Sequence, residues 1–336
     1  MGEADPGGVE DNGPVIHPAE PAAASSRRAA RVTARRLRRR RLLVLGVAVL
    51  AVIVVVAGVS ALTGNRARSG EEAAPVWPER AQSLPAPRFT TVAPAVSICD
   101  DPAVAAAIAA GDDEAVVVAA GGGIAFREAV VAGAAPCISL SDPARRWVVV
   151  NKQRPLDPVS YEPQNLVDVQ GVRVFNGGIL RQDAAEALRA MAAAAEQAGV
   201  GGIGQLSGYR SYDVQVNTYA ENVARGGQAE ADISSARPGY SEHQLGITVD
   251  LLPCAGGCGT LDDFGPSAVG QWVAQHGWEF GYIVRYEADA VGVTGYEAEP
   301  WHLRFIGPEL ARAYHEGGWR SLEEFFGLPA APDYAG

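Results

Sequence analysis

Apolar residues follow three different patterns along the chain, and the first is an unbroken run. From Leu42 to Leu62 the sequence has 21 residues without a charge. A helix rising about 1.5 Å per residue would carry this run across roughly 31 Å, enough for the hydrocarbon core of a bilayer. We therefore predict a single transmembrane helix over residues 42–62. A cleaved signal peptide is the alternative, but its apolar core is usually only about 7–15 residues long.

The second pattern has the 3.6-residue period of amphipathic helices. Between Arg181 and Ala198 the apolar positions recur at this spacing, at Ala184, Leu188, Met191 and Ala195. A further helix is predicted from Ser211, a suitable N-cap, to a stop at Gly226. Shorter helices are predicted over 103–110, 266–276 and 308–317, while the run 114–120 fits either a helix or a strand.

The third pattern is the two-residue alternation of strands. After Gly246, the run from Ile247 to Leu251 is typical of a turn followed by a half-buried strand. A second short strand is predicted from Trp301 to Phe305. Other predicted strands cover 147–150, 172–175, 203–206 and 278–285.

Composition identifies the regions outside these elements. Residues 1–26 are rich in Gly, Ala, Pro and acidic side chains, so we expect them to be disordered. Nine arginines follow between 27 and 41, against only Arg66 and Arg68 just beyond the apolar run. The positive-inside rule then places residues 1–41 in the cytoplasm and the rest of a single-pass membrane protein outside it. Residues 63–96, with repeated Pro and Ala, are predicted to be a semi-extended linker.

Charge is distributed unevenly between the two sides of the apolar run. Seventeen of the 28 basic residues and 34 of the 39 acidic residues lie between 71 and 336, which gives that region a net charge of −17. Such a region is not expected to bind nucleic acid. The arginine block adjoins the membrane span, so anionic lipid is a better partner for it than nucleic acid.

Four cysteines allow three pairings, and outside the cytoplasm an even number usually forms disulfides. We favour Cys99 with Cys137 and Cys254 with Cys258, because each pair brackets a local segment. The first pair delimits a small segment over 97–143, to which we assign no chemistry. A zinc site on Cys254 and Cys258 is the alternative, but it needs two further ligands that are not evident nearby.

Candidate chemistry is concentrated at His243, Asp250, Glu299 and His302. If the two strands that carry Asp250 and His302 are neighbours, both residues and His243 converge on one point. Two imidazoles and a carboxylate suit a catalytic zinc, because three protein ligands leave the fourth position open. Glu299 is the candidate for proton transfer. Taken singly, each histidine is more often a core or turn residue, but the joint pattern favours a site.

Three motifs resemble the zinc D-alanyl-D-alanine carboxypeptidases of VanY type. They are Ser-Gly-Tyr-Arg-Ser at 207–211, Ser-x-His-x-x-Gly-x-x-x-Asp at 241–250 and Glu-x-x-His at 299–302. The resemblance extends from about Trp147 to about Phe326, within a predicted domain over 146–328. It implies one zinc per chain held by His243, Asp250 and His302, Glu299 as catalytic base, and Arg210 against the substrate. Similarity to relatives that bind a peptide's free carboxylate adds Gln215 and Ser241 as candidates for the same pocket.

The resemblance also implies a fold and a substrate. The fold is an α+β domain, like that of the D,D-peptidases and the Hedgehog signalling domain, with a small antiparallel sheet flanked by helices. The expected activity removes the terminal D-Ala from D-Ala-D-Ala-ended stem peptides of peptidoglycan. An L,D-carboxypeptidase, a peptidoglycan endopeptidase and a non-hydrolytic peptidoglycan-binding module remain alternatives, although the intact residue set argues against the last.

Overall fold

A computed structural model describes residues 97–335. The predicted cytoplasmic tail, transmembrane helix and linker, residues 1–96, lie outside the described residues and stay predictions. Between 97 and 335, no helix combines the length and the apolar character that a membrane crossing needs.

The first described region is a group of short helices closed by a disulfide. A 3₁₀ turn over Ile98–Asp100 leads into α1 (Pro102–Ala110), α2 (Asp113–Ala119) and α3 (Gly123–Val131). Cys99 is bonded to Cys137, and Cys254 to Cys258, as predicted. The run that fitted a helix or a strand is α2. These helices share a hydrophobic core with the closing helices of the chain, through Val104, Val116, Phe126, Leu310 and Phe325.

The residues that follow build a five-stranded sheet. Its strands lie in the order β2 (Arg173–Asn176), β4 (Gly202–Ser207), β5 (Thr248–Cys254), β7 (Glu299–Phe305) and β6 (Tyr282–Tyr286). The expected antiparallel arrangement is wrong for one pair, since β2 runs parallel to β4. A parallel pair needs a long crossover, and here β3 (Ile179–Arg181) and α4 (Gln182–Gln197) provide it. Strand β3 pairs separately with β1 (Leu166–Asp168).

Helices cover the sheet and line its edges. The buried side of α4 carries the predicted residues Leu188 and Met191, which belong to the same core as Val249 and Leu303 of the sheet. The other helices are α5 (Tyr212–Gly226), α6 (Gln228–Ser234), α7 (Ala268–His276), α8 (Val291–Thr294), α9 (Pro308–Glu316) and α10 (Leu322–Phe325). Ser211 caps α5 as predicted, because its side chain accepts a hydrogen bond from the Val214 backbone N–H.

Three strand predictions need correction. The run 147–150 is buried but joins no sheet, because arginine side chains hydrogen-bond its carbonyls; the guanidinium of Arg304, for example, donates to the Val148 carbonyl. The run 278–285 begins with a 3₁₀ turn over Gly277–Phe280, and strand β6 starts only after Gly281 at φ 82°. Strand β5 is buried on both faces over most of its length instead of half-buried, because it lies centrally between β4 and β7.

Candidate metal centre and cleft

The centre of the site is the pairing of β5 with β7. In this antiparallel pair Asp250 lies directly opposite His302. Residues that face each other across two strands project their side chains to the same side of the sheet. The condition for convergence, that the two strands are neighbours, is therefore met.

His243 reaches this point from the turn before β5. It lies in a 3₁₀ turn over Glu242–Leu245 that ends at Gly246, whose φ of 70° is in the left-handed region. Glycine adopts that conformation without the strain of a Cβ. The imidazole Nδ1 of His243 lies 2.8 Å from the carbonyl oxygen of Gly208. A carbonyl oxygen only accepts, so Nδ1 donates this hydrogen bond and Nε2 of the same ring remains free to act as a ligand.

Three donor atoms fit the requirements of a metal ion. His243 Nε2 is 3.2 Å from one Asp250 carboxylate oxygen, and His302 Nδ1 is 3.4 Å from the other. Potential ligand atoms of the three residues all lie within 4.8 Å of one another. Tetrahedral zinc with bonds of about 2.0–2.1 Å separates its ligand atoms by about 3.3–3.4 Å. The spacing and the donor types therefore suit such an ion.

Charge around the three donors also favours a cation. Burial would raise the pKa of Asp250, but the two histidines outweigh it and hold that pKa well below its usual value. Burial lowers the pKa of the His243 imidazole. Burial acts in the same direction on His302, yet the three neighbouring carboxylates of Asp250, Glu242 and Glu299 raise its pKa well above the usual value. Those carboxylates, which favour a proton on His302, also favour a metal dication.

Glu299 lies next to His302, and Arg210 lies next to Asp250. The Glu299 carboxylate oxygen is 3.2 Å from His302 Nδ1. The Arg210 guanidinium is 3.7 Å from the Asp250 carboxylate, and Arg210 and Glu299 both line the same cleft. The carboxylate expected to transfer a proton and the guanidinium expected to meet substrate charge therefore lie within one cleft.

Gln215 is located behind Arg210 and is fully buried. Its amide oxygen accepts a hydrogen bond of 2.8 Å from Arg210, and its amide nitrogen donates to the Ala236 carbonyl at 2.6 Å. The hydroxyl of Ser207 accepts a second bond from Arg210 at 3.0 Å. Ser241, by contrast, lines the cleft. Direct substrate contact by Gln215 and Ser241 stays a prediction.

The cleft itself has a cavity volume of about 240 Å³. Beside the metal-binding candidates, its lining includes three aromatic residues, Tyr286, Tyr296 and Trp301, and three small residues, Ser234, Ser235 and Ala236. Tyr296 is held in place because its hydroxyl is 2.9 Å from that of Tyr334, near the carboxyl end of the chain. The space is thus bounded by aromatic rings and small polar side chains.

The role of Glu242, next to the ligand candidate His243, was missed in the sequence. Its carboxylate is buried between the guanidinium groups of Arg285 and Arg304. Burial would raise the pKa of Glu242, but the two arginines outweigh it and hold the pKa far below its usual value. A signal was available, since Arg285 and Arg304 interrupt otherwise apolar strand segments.

Comparison with known proteins identifies the family. The family model described as VanY, D-alanyl-D-alanine carboxypeptidase, matches residues 178–308, which contain all four motif residues of the centre and Arg210. The putative carboxypeptidase YodJ of Bacillus subtilis (strain 168) is 36% identical over 192 residues, 56% of this chain and 69% of the relative. The chain belongs to the VanY family. Membership makes this VanY-family protein a carboxypeptidase, and so a hydrolase.

Two further relatives are named for two different carboxypeptidase activities. A D-alanyl-D-alanine carboxypeptidase of Enterococcus faecalis (strain ATCC 700802 / V583) is 34% identical over 188 residues, 53% of this VanY-family chain and 64% of the relative. The solved structure of the LdcB LD-carboxypeptidase, described with the molecular basis of peptidoglycan recognition, has 36% sequence identity and a TM-score of 0.51. That similarity covers 56% of this chain and 88% of LdcB.

Proposed function

We propose that this protein is a zinc-dependent carboxypeptidase that removes the terminal D-Ala from D-Ala-D-Ala-ended stem peptides of peptidoglycan. One observation carries the proposal: three ligand atoms, the Glu299 carboxylate and the Arg210 guanidinium meet in one cleft. This combination provides what hydrolysis of a peptide bond next to a free carboxylate requires, namely an electrophile site, a proton carrier and a cation.

His243 Nε2, His302 Nδ1 and the Asp250 carboxylate would hold the zinc. When bound, zinc polarises a carbonyl oxygen and lowers the pKa of water toward about 7. Burial lowers the pKa of the His243 imidazole and so keeps the ring neutral. The neutral ring is the form that binds a metal.

Glu299 moves the proton in this proposal. Its carboxylate takes a proton from the attacking water as the new C–O bond forms. It then gives that proton to the leaving amine as the C–N bond breaks. The side chain is only 13% exposed, which limits competition from bulk water for the proton.

Arg210 binds the substrate's negative charge. Two of its five N–H groups are used by Ser207 and Gln215, and these bonds fix the plane of the guanidinium at the cleft. The remaining N–H groups suit the terminal carboxylate of the peptide or the carbonyl oxygen as it gains charge. Gln215 acts through Arg210 in this arrangement, and Ser241 offers a hydroxyl to the peptide.

We also propose that residues 42–62 anchor the protein in the cell membrane with its catalytic domain outside. The apolar run and its arginine flank support this topology. A tethered extracytoplasmic enzyme suits a substrate attached to a polymer that lies outside the membrane.

An L,D-carboxypeptidase is the second candidate. It is favoured by the likeness to LdcB, the LD-carboxypeptidase of known structure. Both activities release D-alanine, but from different peptides: the D,D enzyme from a pentapeptide ending in D-Ala-D-Ala, and the L,D enzyme from the tetrapeptide that remains.

The deciding experiment offers each peptide separately to the full-length protein in detergent and detects D-alanine by mass spectrometry. We expect release from the pentapeptide, loss of release after chelation, and recovery with zinc. Release from the tetrapeptide alone would replace the D,D assignment by the L,D one. A folded, zinc-loaded protein that cuts neither peptide would contradict both and favour a binding module.

A further inference from the structure

We infer that Glu242 is a positioning residue for the ligand candidate His302, and that a buried cluster of arginines and a second glutamate fixes Glu242 in turn. The inference deepens the proposed function, because it rests on the metal site assigned there. It concerns how Nε2, the nitrogen of the His302 ring that faces away from the other ligand candidates, is held.

The two carboxylate oxygens of Glu242 have different surroundings. Oε1 accepts hydrogen bonds from Arg285 Nε at 2.9 Å and from Arg304 Nη1 at 2.7 Å. Oε2 has no hydrogen-bond partner and lies 3.6 Å from His302 Nε2. His302 Nε2 is likewise buried without a partner. Two complementary polar atoms therefore face each other away from water.

The tautomer of the His302 imidazole explains why the contact between His302 Nε2 and Glu242 Oε2 is important. His302 presents Nδ1 to Asp250 and Glu299, so a neutral ring that uses Nδ1 as a ligand must carry its proton on Nε2. A buried N–H without an acceptor is costly, and Glu242 Oε2 is an acceptor aimed at it. The separation of 3.6 Å is beyond hydrogen-bonding distance, but a small movement of the ring or the carboxylate closes it.

The buried cluster keeps Glu242 in place. Arg285 also donates to both carboxylate oxygens of Glu323, at 2.8 and 3.1 Å. Arg304 donates to the carbonyls of Arg146 and Val148, at 3.1 and 2.8 Å. The two glutamates and two arginines balance in charge and are almost completely inaccessible to solvent. Such a network leaves Glu242 little freedom to turn Oε2 elsewhere.

Carboxylates that fix the outer nitrogen of a metal-binding histidine typically contribute about 10–100-fold to metal affinity. Glu323 belongs to the same cluster but does not approach His302, which makes it a matched control. If Glu242 only neutralised arginine charge, Glu242→Gln and Glu323→Gln would have similar effects on metal binding. If it positions His302, the two variants differ.

The experiment measures zinc affinity of the full-length apo-protein by competition with a chromophoric chelator, independently of catalysis. For Glu242→Gln we expect affinity about 10–100-fold lower, because an amide N–H₂ turned toward His302 cannot accept the Nε2 proton. The Co²⁺-loaded variant should also have an altered visible absorption spectrum. For Glu323→Gln we expect a lower Tm but a much smaller loss of zinc affinity than for Glu242→Gln, because Arg304 still holds Glu242 Oε1.

Unchanged affinity in Glu242→Gln, or equal losses in the two variants, would overturn the inference. If neither variant folds, the ¹⁵N-labelled zinc-loaded wild type decides by NMR: we expect a His302 Nε2–H signal protected from solvent exchange, and rapid exchange would contradict it. A protein that binds zinc as expected yet cuts no stem peptide would contradict the proposed function and leave the inference about Glu242 intact. A protein that binds no divalent metal would end both proposals.

Discussion

The cleft and the buried arginine cluster are built from the same turn and strands, yet they differ in charge balance and access. Asp250, Glu297 and Glu299 bring three carboxylates to the cleft against the one guanidinium of Arg210. Behind them, two glutamates meet two arginines, and their side chains are at most 1% exposed.

This difference in charge balance and access indicates which charged groups are suited to bind a ligand. An excess of negative charge in a cleft is typical of a site that binds a cation or a charged substrate. A balanced, closed network is already complete, and its role is to hold other groups. His243 and Glu242 are consecutive in the chain, so a single turn supplies both regions.

The largest effect is expected from Glu299→Gln, which tests whether the cleft serves catalysis and not stability. We expect kcat to fall by about 10²–10⁴-fold, because the amide cannot carry the proton. Zinc content and Tm should stay at the wild-type level. D-alanine release and metal analysis measure these quantities.

Glu297→Gln is the control for that variant, since Glu297 lines the same cleft without approaching His302. It should keep activity within a small factor of the wild type. An active, metal-loaded Glu299→Gln enzyme would remove Glu299 from the mechanism.

For the buried arginine cluster we expect the opposite, a loss of stability, and Arg304→Met tests it. Removing Arg304 leaves the two buried glutamates with Arg285 as the one cation that they share, so the free energy of unfolding should fall by about 3–5 kcal/mol. Arg312→Met, at an exposed arginine paired with Glu309, should cost at most about 1 kcal/mol. Denaturant unfolding of both variants tests the contrast, and equal losses would show that burial of the pair does not matter.

A smaller effect is expected from Arg210→Lys. Lysine keeps the charge but loses the planar group that Ser207 and Gln215 orient. Loss of hydrogen bonds to a charged partner predicts a decrease of about 10–100-fold in kcat/KM. Arg225→Lys, at an exposed position of α5, serves as the control. Wild-type kcat/KM in Arg210→Lys would exclude a geometric role for the guanidinium.

The smallest effect is expected where the two regions join, at Gly246→Ala. A Cβ at φ 70° is strained, and it would approach Leu166 and Pro163 at 3.0 and 3.1 Å. We expect a loss of about 1–2 kcal/mol in the free energy of unfolding, with a modest decrease in zinc affinity. Gly256→Ala, also at positive φ but with open space around it, separates backbone strain from crowding. Equal effects on stability would attribute the loss at Gly246 to strain alone.

Sequence patterns were sufficient for the elements that carry His243, Asp250 and His302, because each of those elements is local. The seven-residue separation of His243 and Asp250 spans one turn and the start of one strand, and the run around His302 has strand periodicity. Their adjacency in space was a condition that the β5–β7 pairing then met.

Long-range partners could not be predicted in this way. Glu242 meets Arg285 and Arg304 at separations of 43 and 62 residues, and nothing in the local pattern specifies those pairs. The relative direction of paired strands cannot be predicted from the sequence pattern either, because the two-residue period is the same in the parallel β2–β4 pair as in antiparallel pairs. The side of α5 that Gln215 uses also depends on packing against Arg210, which no spacing reveals.

The arginine contacts with the backbone at 146–150 determine where the protein can be truncated. The family match begins at residue 178, yet Arg304 inside it donates its guanidinium to the carbonyls of Arg146 and Val148. Glu323, beyond the end of the match at 308, neutralises Arg285. An expression fragment cut at the homology boundaries would lose acceptors for two buried guanidinium groups. A fragment that keeps these contacts must therefore begin no later than Arg146 and end no earlier than Glu323.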